Sequence, residues 1–247
     1  MKWFWYYFGL TTSYLFNLCF LRTKVFYEDE NRRNRRIRGK AIIISNHQNP
    51  LDGLVIAHKF FSRRINYIAA DFFKGAKRAL VPFIRVSGAV IVDRESYDFS
   101  FFEESKRLLN RNKLVLVFPE GRMTFDYEPT RFIYSYVALS IQSGAKIVPV
   151  VSDCNYRSFG RVHIIVGNSI EPSQYIQSGN LTKEKLKEAN ESIYQQFIRL
   201  YYQLKKKKYD RFKSKYIAIS PKPGDIIRIF VGTHYHYGVY LSGGEVV

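Results

Sequence analysis

The chain has 247 residues, 46% of them hydrophobic and 24% charged, which supplies a packed core and excludes wholesale disorder. Its 39 Lys and Arg against 21 Asp and Glu give a net charge of +18, a balance suited to phosphate-bearing partners, whether lipid, nucleic acid or small molecule. The 2 cysteines, Cys19 and Cys154, exclude a disulfide framework and a four-cysteine zinc site.

From Trp3 to Leu21 the chain reads WFWYYFGLTTSYLFNLCFL, without a charge until Arg22. Thr11, Thr12, Ser13 and Asn17 interrupt its apolar character, and its aromatics crowd one end, where rings with polar tips suit the headgroup level. The expectation is a helical segment over residues 1–30 that lies in one leaflet rather than crossing the bilayer; the competing reading is a buried helix of a soluble protein. No small-x-small cleavage pattern marks it as a signal peptide. The basic run Arg32, Arg33, Arg35, Arg36, Arg38 and Lys40 follows, and reads as an anchor on an anionic surface.

Short apolar runs then recur at 41–45 (AIIIS), 65–70 (INYIAA), 89–93 (AVIVD), 114–118 (LVLVF), 147–151 (IVPVV) and 162–166 (VHIIV). Continuous apolar strands of this length belong to a sheet covered on both faces. Helical stretches at 101–112 and 133–143, the second closed by Gly144, and at about 182–204 lie between and after them. In the last of these, Leu186, Ala189, Ile193, Phe197, Leu200 and Leu204 form one stripe, and Lys205–Lys208 fringes its end. The pattern predicts an α/β fold, a mixed, largely parallel sheet covered by helices, with its ligands beyond the carboxyl ends of the strands.

Two of those strand ends carry candidate chemistry. After AIIIS comes NHQNPLDG, in which Asn49 and Pro50 look like a helix N-cap and first helical residue, placing Asp52 in the first turn. A carboxylate there is able to fold back on His47, fix its tautomer and raise the basicity of its other nitrogen, as a general base requires. The plainer alternative leaves Asp52 as a helix-dipole carboxylate and His47 as an incidental loop residue. After LVLVF comes Pro119-Glu120-Gly121-Arg122, where glycine admits close backbone approach and Arg122 offers a planar fork for phosphate. The segment GAVIVDR ends a third strand with Arg94, which either binds a ligand or pairs with Asp93 or Glu95.

The order NHQNPLD, GAVIVDR, FPEGR, IVPVV resembles the four blocks of the glycerolipid acyltransferase family, which includes the 1-acylglycerol-3-phosphate acyltransferases and other lysophospholipid acyltransferases. The likeness covers residues 1–205, with a glycerolipid acyltransferase domain at 31–205. It implies cofactor-free transfer of a fatty acyl group from acyl-CoA or acyl-carrier protein to a glycerol hydroxyl, on lysophosphatidic acid first of all. It further implies that His47 is the base, that Asp52 orients it, and that Arg94, Glu120, Gly121 and Arg122 hold the acceptor's phosphate and glycerol. The implied setting is phospholipid biosynthesis at a membrane, with the site facing the cytoplasm and no nucleic-acid partner. One departure stands out: residues 118–124 read FPEGRMT where the commoner block is FPEGTRS. That variant is similar to some bacterial acylglycerophosphoethanolamine acyltransferases and keeps a second acceptor in play.

The carboxyl end, residues 206–247, reads as a linker followed by a hairpin pattern, PKPGDIIRIFVGTHYHYGVYLSGGEVV. It resembles the opening of lecithin retinol acyltransferase-like domains, with His236 in the place of their first catalytic histidine; the segment stops before the nucleophilic cysteine, and no activity is expected from it. A His234/His236 metal pair is the other reading, without acidic or cysteine company. Other classes fare less well across the chain. No RNP, zinc or helix-turn-helix pattern supports a nucleic-acid module, and no G-x-S-x-G elbow supports an esterase. A non-catalytic lipid-binding relative is expected to lack His47 or Asp52, and both are present.

Overall fold

The structure, a computed structural model, describes residues 2–31, 36–70, 89–92, 100–124, 129–156, 160–171, 182–215, 222–231 and 234–239. Along the chain these form α1 (Lys2–Phe16), a π-helical turn (Asn17–Leu21), β1 (Lys24–Tyr27), β2 (Ala41–Ser45), α2 (Asp52–Lys59), β3 (Ile65–Ala70) and β4 (Ala89–Val92). There follow α3 (Ser100–Asn110), β5 (Leu114–Val117), α4 (Ser135–Ser143), β6 (Lys146–Ser152), β7 (His163–Val166), α5 (Lys183–Lys215), β8 (Ile226–Val231) and β9 (His234–Val239). The chain divides into two compact units, residues 1–205 and 206–247.

The first unit holds a seven-stranded sheet in the order β1-β7-β6-β2-β5-β3-β4. Every pairing is parallel except β6 with β7. The predicted mixed, largely parallel α/β sheet is therefore present. Its strand β1, whose sequence KVFY is too short and too mixed to stand out, was not foreseen, and it lengthens one edge by pairing with β7.

All five residues of β2 are buried, because its two faces meet different layers. Ile42 and Ile44 point to the side packed by Leu109 of α3, Tyr136 and Val137 of α4, and Ile193, Phe197 and Leu200 of α5. Ala41 and Ile43 point to the side packed by Tyr6 and Leu10 of α1 and Val55, Ile56 and Phe60 around α2. Each isoleucine withdrawn in this way contributes about 1.5–3 kcal/mol. The central strand is thus the best-anchored element, and whatever follows its carboxyl end inherits a rigid base.

The stripe expected in the last long helix is the buried face of α5, but that helix continues to Lys215 rather than ending near Leu204. Lysine and arginine are good helix formers and sit favourably toward a helix carboxyl end, so Lys205–Lys208 extends the helix instead of fringing it. In α4, Gly144 closes the helix with φ +61°, as the glycine there predicts.

Helix α1 is half of a core and half of a surface. Tyr6 and Leu10 are buried, while Phe4, Trp5, Phe8, Leu15 and Leu18 in the adjoining turn are exposed. His58 of α2 pins it: the Asn17 amide donates to His58 Nδ1 at 2.8 Å and Nε2–H donates to the Leu10 carbonyl at 3.2 Å. Among the described residues no helix is long and apolar enough to cross a membrane. In the second unit, β8 and β9 pair antiparallel from Ile226 with Val239 to Val231 with His234.

Candidate active site

Strand β2 lies between β5 and β6 and runs parallel to both, so three carboxyl ends meet side by side at the middle of one sheet edge. The residues that follow them are Asn46–Asp52, Phe118–Thr124 and Asp153–Tyr156. That is the crevice position where open α/β sheets take their ligands.

After β2 the buried Asn46 clips its strand end to that of β6, accepting the Ser152 N–H on Oδ1 at 2.9 Å and donating to the Ser152 carbonyl at 3.0 Å. His47 follows. Its Nδ1 lies 3.2 Å from Asp52 Oδ2, and its ring stacks on Phe118 from the end of β5, centroids 4.1 Å apart. Nδ1–H donates to the carboxylate, which leaves Nε2 without a hydrogen-bond partner among the described residues. The side chain of His47 is 23% exposed and that of Asp52 fully buried, so the pair presents one face of an imidazole and hides its support.

The regular helix begins at Asp52, later than Asn49 and Pro50 suggest. Asn49 still acts at its entrance: its Oδ1 accepts the Leu51 N–H at 3.0 Å, while its own N–H donates to Asp52 Oδ2 at 2.8 Å. The first bond is an Asx turn, and the second folds the Asp52 carboxylate back over the helix entrance, so it can reach His47 five residues earlier. The Gln48 N–H donates to the same oxygen at 2.8 Å.

The other oxygen of Asp52 is held by residues the sequence did not single out. Oδ1 accepts the Tyr156 hydroxyl through a short hydrogen bond and the Cys154 thiol at 3.6 Å. Burial foremost, and the charge of Asp52 next, raise the pKa values of both groups, keeping them protonated as donors. No local motif announces these two residues. The available signal was only that the segment after IVPVV leaves a strand beside AIIIS.

Beyond β5, Glu120 is buried and lies under the same backbone as the histidine: Thr124 N–H donates to the His47 carbonyl at 2.8 Å, and Thr124 Oγ1 to Glu120 Oε2 at 2.8 Å. Glu120 Oε1 is buried without a hydrogen-bond partner among the described residues. Burial foremost pushes the Glu120 carboxyl up to about 7, against the opposing pull of the Thr124 and Thr130 hydroxyls and of His47. Gly121 has φ +72°, and a Cβ there would stand 2.7 Å from Ile133 Cδ1, so the turn admits only glycine without strain. Arg122 is exposed on the same turn. Of the residues singled out in the sequence, His47, Asp52, Glu120, Gly121 and Arg122 thus lie on two adjacent strand ends, and Arg94 lies outside the described residues. No group of three His, Cys, Asp or Glu able to hold a metal ion occurs among the described residues.

An imidazole with one nitrogen bonded to a buried carboxylate and the other open, set where parallel strands end, has the geometry to accept and return a proton. A model of the acyltransferase family matches residues 24–153, more than half of the chain, including Asn46–Asp52 and Phe118–Thr124 and ending just before Cys154 and Tyr156; the chain belongs to that family and is an acyltransferase. Among solved structures its fold is similar to that of the 1-acyl-sn-glycerophosphate (LPA) acyltransferase PlsC from Thermotoga maritima, 19% identical over 72% of each chain with a TM-score of 0.51. No curated protein matches the chain by sequence.

Proposed function

We propose that the protein is a membrane-associated 1-acyl-sn-glycerol-3-phosphate O-acyltransferase, which moves a fatty acyl group from acyl-CoA or acyl-carrier protein to lysophosphatidic acid and yields phosphatidic acid. The observation that carries the reading is the His47–Asp52 pair with its open Nε2. An alcohol is a poor nucleophile at neutral pH, and a base within hydrogen-bond reach is the usual remedy. Nε2 takes the proton of the acceptor hydroxyl as its oxygen bonds to the thioester carbonyl carbon. The tetrahedral intermediate then collapses, the C–S bond breaks, and the imidazolium returns the proton to the departing thiolate. Asp52 holds the ring and stabilises its cationic form. The step draws on no group beyond these residues and the two substrates.

In this reading Gly121 brings the backbone close to the acceptor, and Arg122 and Arg94 neutralise its phosphate. Glu120, its Oε1 without a hydrogen-bond partner among the described residues, accepts from or donates to the glycerol. The exposed band Phe4, Trp5, Phe8, Leu15 and Leu18 lies in the headgroup region of an anionic leaflet, with Arg22, Lys24, Arg36 and Arg38 among the nearby cations in sequence. The soluble donor then enters from the cytoplasmic side. The forward placement of Arg122 in FPEGRMT favours one second reading, a lysophospholipid acceptor with a larger head group such as lysophosphatidylethanolamine.

The test offers radiolabelled acyl-CoA and acyl-carrier protein with a panel of lysophospholipids to the detergent-solubilised protein. Labelled phosphatidic acid is the expected product. Transfer to lysophosphatidylethanolamine alone moves the assignment to the second acceptor, and absence of transfer to any lysophospholipid overturns the proposal.

A further inference from the structure

Asp52 needs its plane fixed before it can hold an imidazole, because χ2 of aspartate is broad and nearly two-fold. Its Oδ2 meets the Gln48 and Asn49 N–H groups and His47; among the described residues its Oδ1 meets only Tyr156 and Cys154. We infer that Tyr156 is a positioning residue of the acyl transfer, its hydroxyl gripping Oδ1 so that Oδ2 faces His47 and sharing the carboxylate's charge with the imidazole. The inference rests on His47 being the base.

The chain goes to some length to deliver this hydroxyl. Beyond β6 the Asp153 carboxylate ties the turn to β7, with Oδ1 accepting the His163 N–H at 2.9 Å and the Asn155 N–H at 3.2 Å, and Oδ2 lying 2.9 Å from His163 Nδ1. Cys154 then adopts φ +48°, a left-handed conformation uncommon for a residue that is neither glycine nor asparagine. Its N–H is held by Ser152 Oγ at 3.0 Å, its thiol accepts the Asn46 amide at 3.3 Å, and its carbonyl accepts the Tyr156 N–H at 3.0 Å. A strained residue whose every polar group is engaged reverses the chain, and Tyr156 lands on the buried side of Asp52. A tyrosine that needed only a partner for its hydroxyl would be served by any nearby carbonyl. Here the partner is the one carboxylate that supports the histidine, and the thiol of Cys154, a weaker donor, backs the same oxygen.

Tyr156→Phe removes the hydroxyl and little else. The expected result is a fall in kcat of about tenfold with KM for donor and acceptor unchanged, the size of effect typical when the support of a catalytic imidazole is lost. The acid limb of the kcat/KM profile moves to higher pH, because a carboxylate with one donor fewer stabilises the imidazolium more. Among the described residues the groups facing His47 are Asp52 from α2 and Glu120 from the turn after β5, and both remain in the variant, so the displaced limb reports Tyr156. An unmoved limb with wild-type kcat overturns the inference even where the melting temperature falls, since that outcome describes a merely structural tyrosine. Should Tyr156→Phe not fold, Cys154→Ala reads the same oxygen, with a fall of about two- to threefold and the same direction of limb movement expected, and no change in either contradicting the inference. His47→Ala is assayed alongside. If it keeps wild-type activity, the base assignment fails; if it is inactive while Tyr156→Phe behaves as wild type, the inference alone fails.

Discussion

Two buried carboxylates stand at neighbouring strand ends, and they are treated in opposite ways. Asp52 receives hydrogen bonds on both oxygens from two backbone N–H groups, an imidazole, a hydroxyl and a thiol. Glu120 receives the Thr124 hydroxyl on one oxygen and has a buried second oxygen with no partner among the described residues. Burying a carboxylate is costly even beside hydroxyl donors, and the Glu120 carboxyl, with Thr124, Thr130 and His47 pulling the other way, still rises to about 7. On the proposed reading the difference sorts their roles. Asp52 is finished, a fixed support with no valence left for a ligand; Glu120 is unfinished, and an acceptor with a donor to offer would complete it.

The largest effect follows from emptying the finished site. Asp52→Ala strands Tyr156, Cys154 and two backbone donors and frees the imidazole, so activity is expected to fall about a thousandfold or more and stability by about 2–4 kcal/mol. Paired kinetics and urea denaturation check both, and a variant that keeps a tenth of wild-type activity would break the contrast. Next comes Gly121→Ala, which asks the turn under Glu120 to accept a Cβ 2.7 Å from Ile133 and a non-glycine φ of +72°. A cost of about 1–3 kcal/mol in urea denaturation is expected, with weakened use of the acceptor; a neutral substitution would show that the turn is not held where the site needs it.

Glu120→Gln gives a smaller, signed effect. With a folded value of about 7 against 4.5 for the free carboxyl, the folded protein holds the proton that the unfolded chain has lost. Stability therefore declines as pH rises from 4.5 to 7 and stays lower above it. Glutamine removes that decline, so the variant is expected to match wild type at acid pH and exceed it above neutrality by about 1–2 kcal/mol. Parallel stability curves across that range would mean Glu120 is partnered after all. The smallest effect belongs to His58, buried like Asp52 and fully bonded, but as a neutral ring. Burial foremost lowers its pKa, so its contribution is present above the ordinary histidine value and is lost as pH falls through the lowered one. Acidification is expected to loosen α1, read as lower protection factors (exchange corrected for its intrinsic pH dependence) at Leu10–Asn17; protection unchanged as pH falls would contradict it.

Much of this was legible in the residues. Runs such as AIIIS and LVLVF are apolar on both faces and admit little but buried strands, and a histidine and an aspartate five apart behind one of them advertise a pair. Gly144 and the α5 stripe were similarly plain. Local pattern does not carry pairing, however. That β2 lies between β5 and β6 decides which loops share the site, and this is why Tyr156 and Cys154, far from His47 in sequence, went unremarked. Strand β1 was missed because KVFY has no clear alternation and gains its place from β7. The end of α5 was misjudged because a lysine run looks like a boundary, while helix propensity carries it onward.

The central claim is that the open nitrogen of His47 takes the proton from the acceptor hydroxyl. The most direct measurement is the rate of acyl transfer to lysophosphatidic acid by His47→Ala beside wild type, with circular dichroism confirming that both are folded. The account predicts a folded variant whose rate is lower by about a thousandfold or more. A folded variant within tenfold of wild type would contradict it and move the base elsewhere.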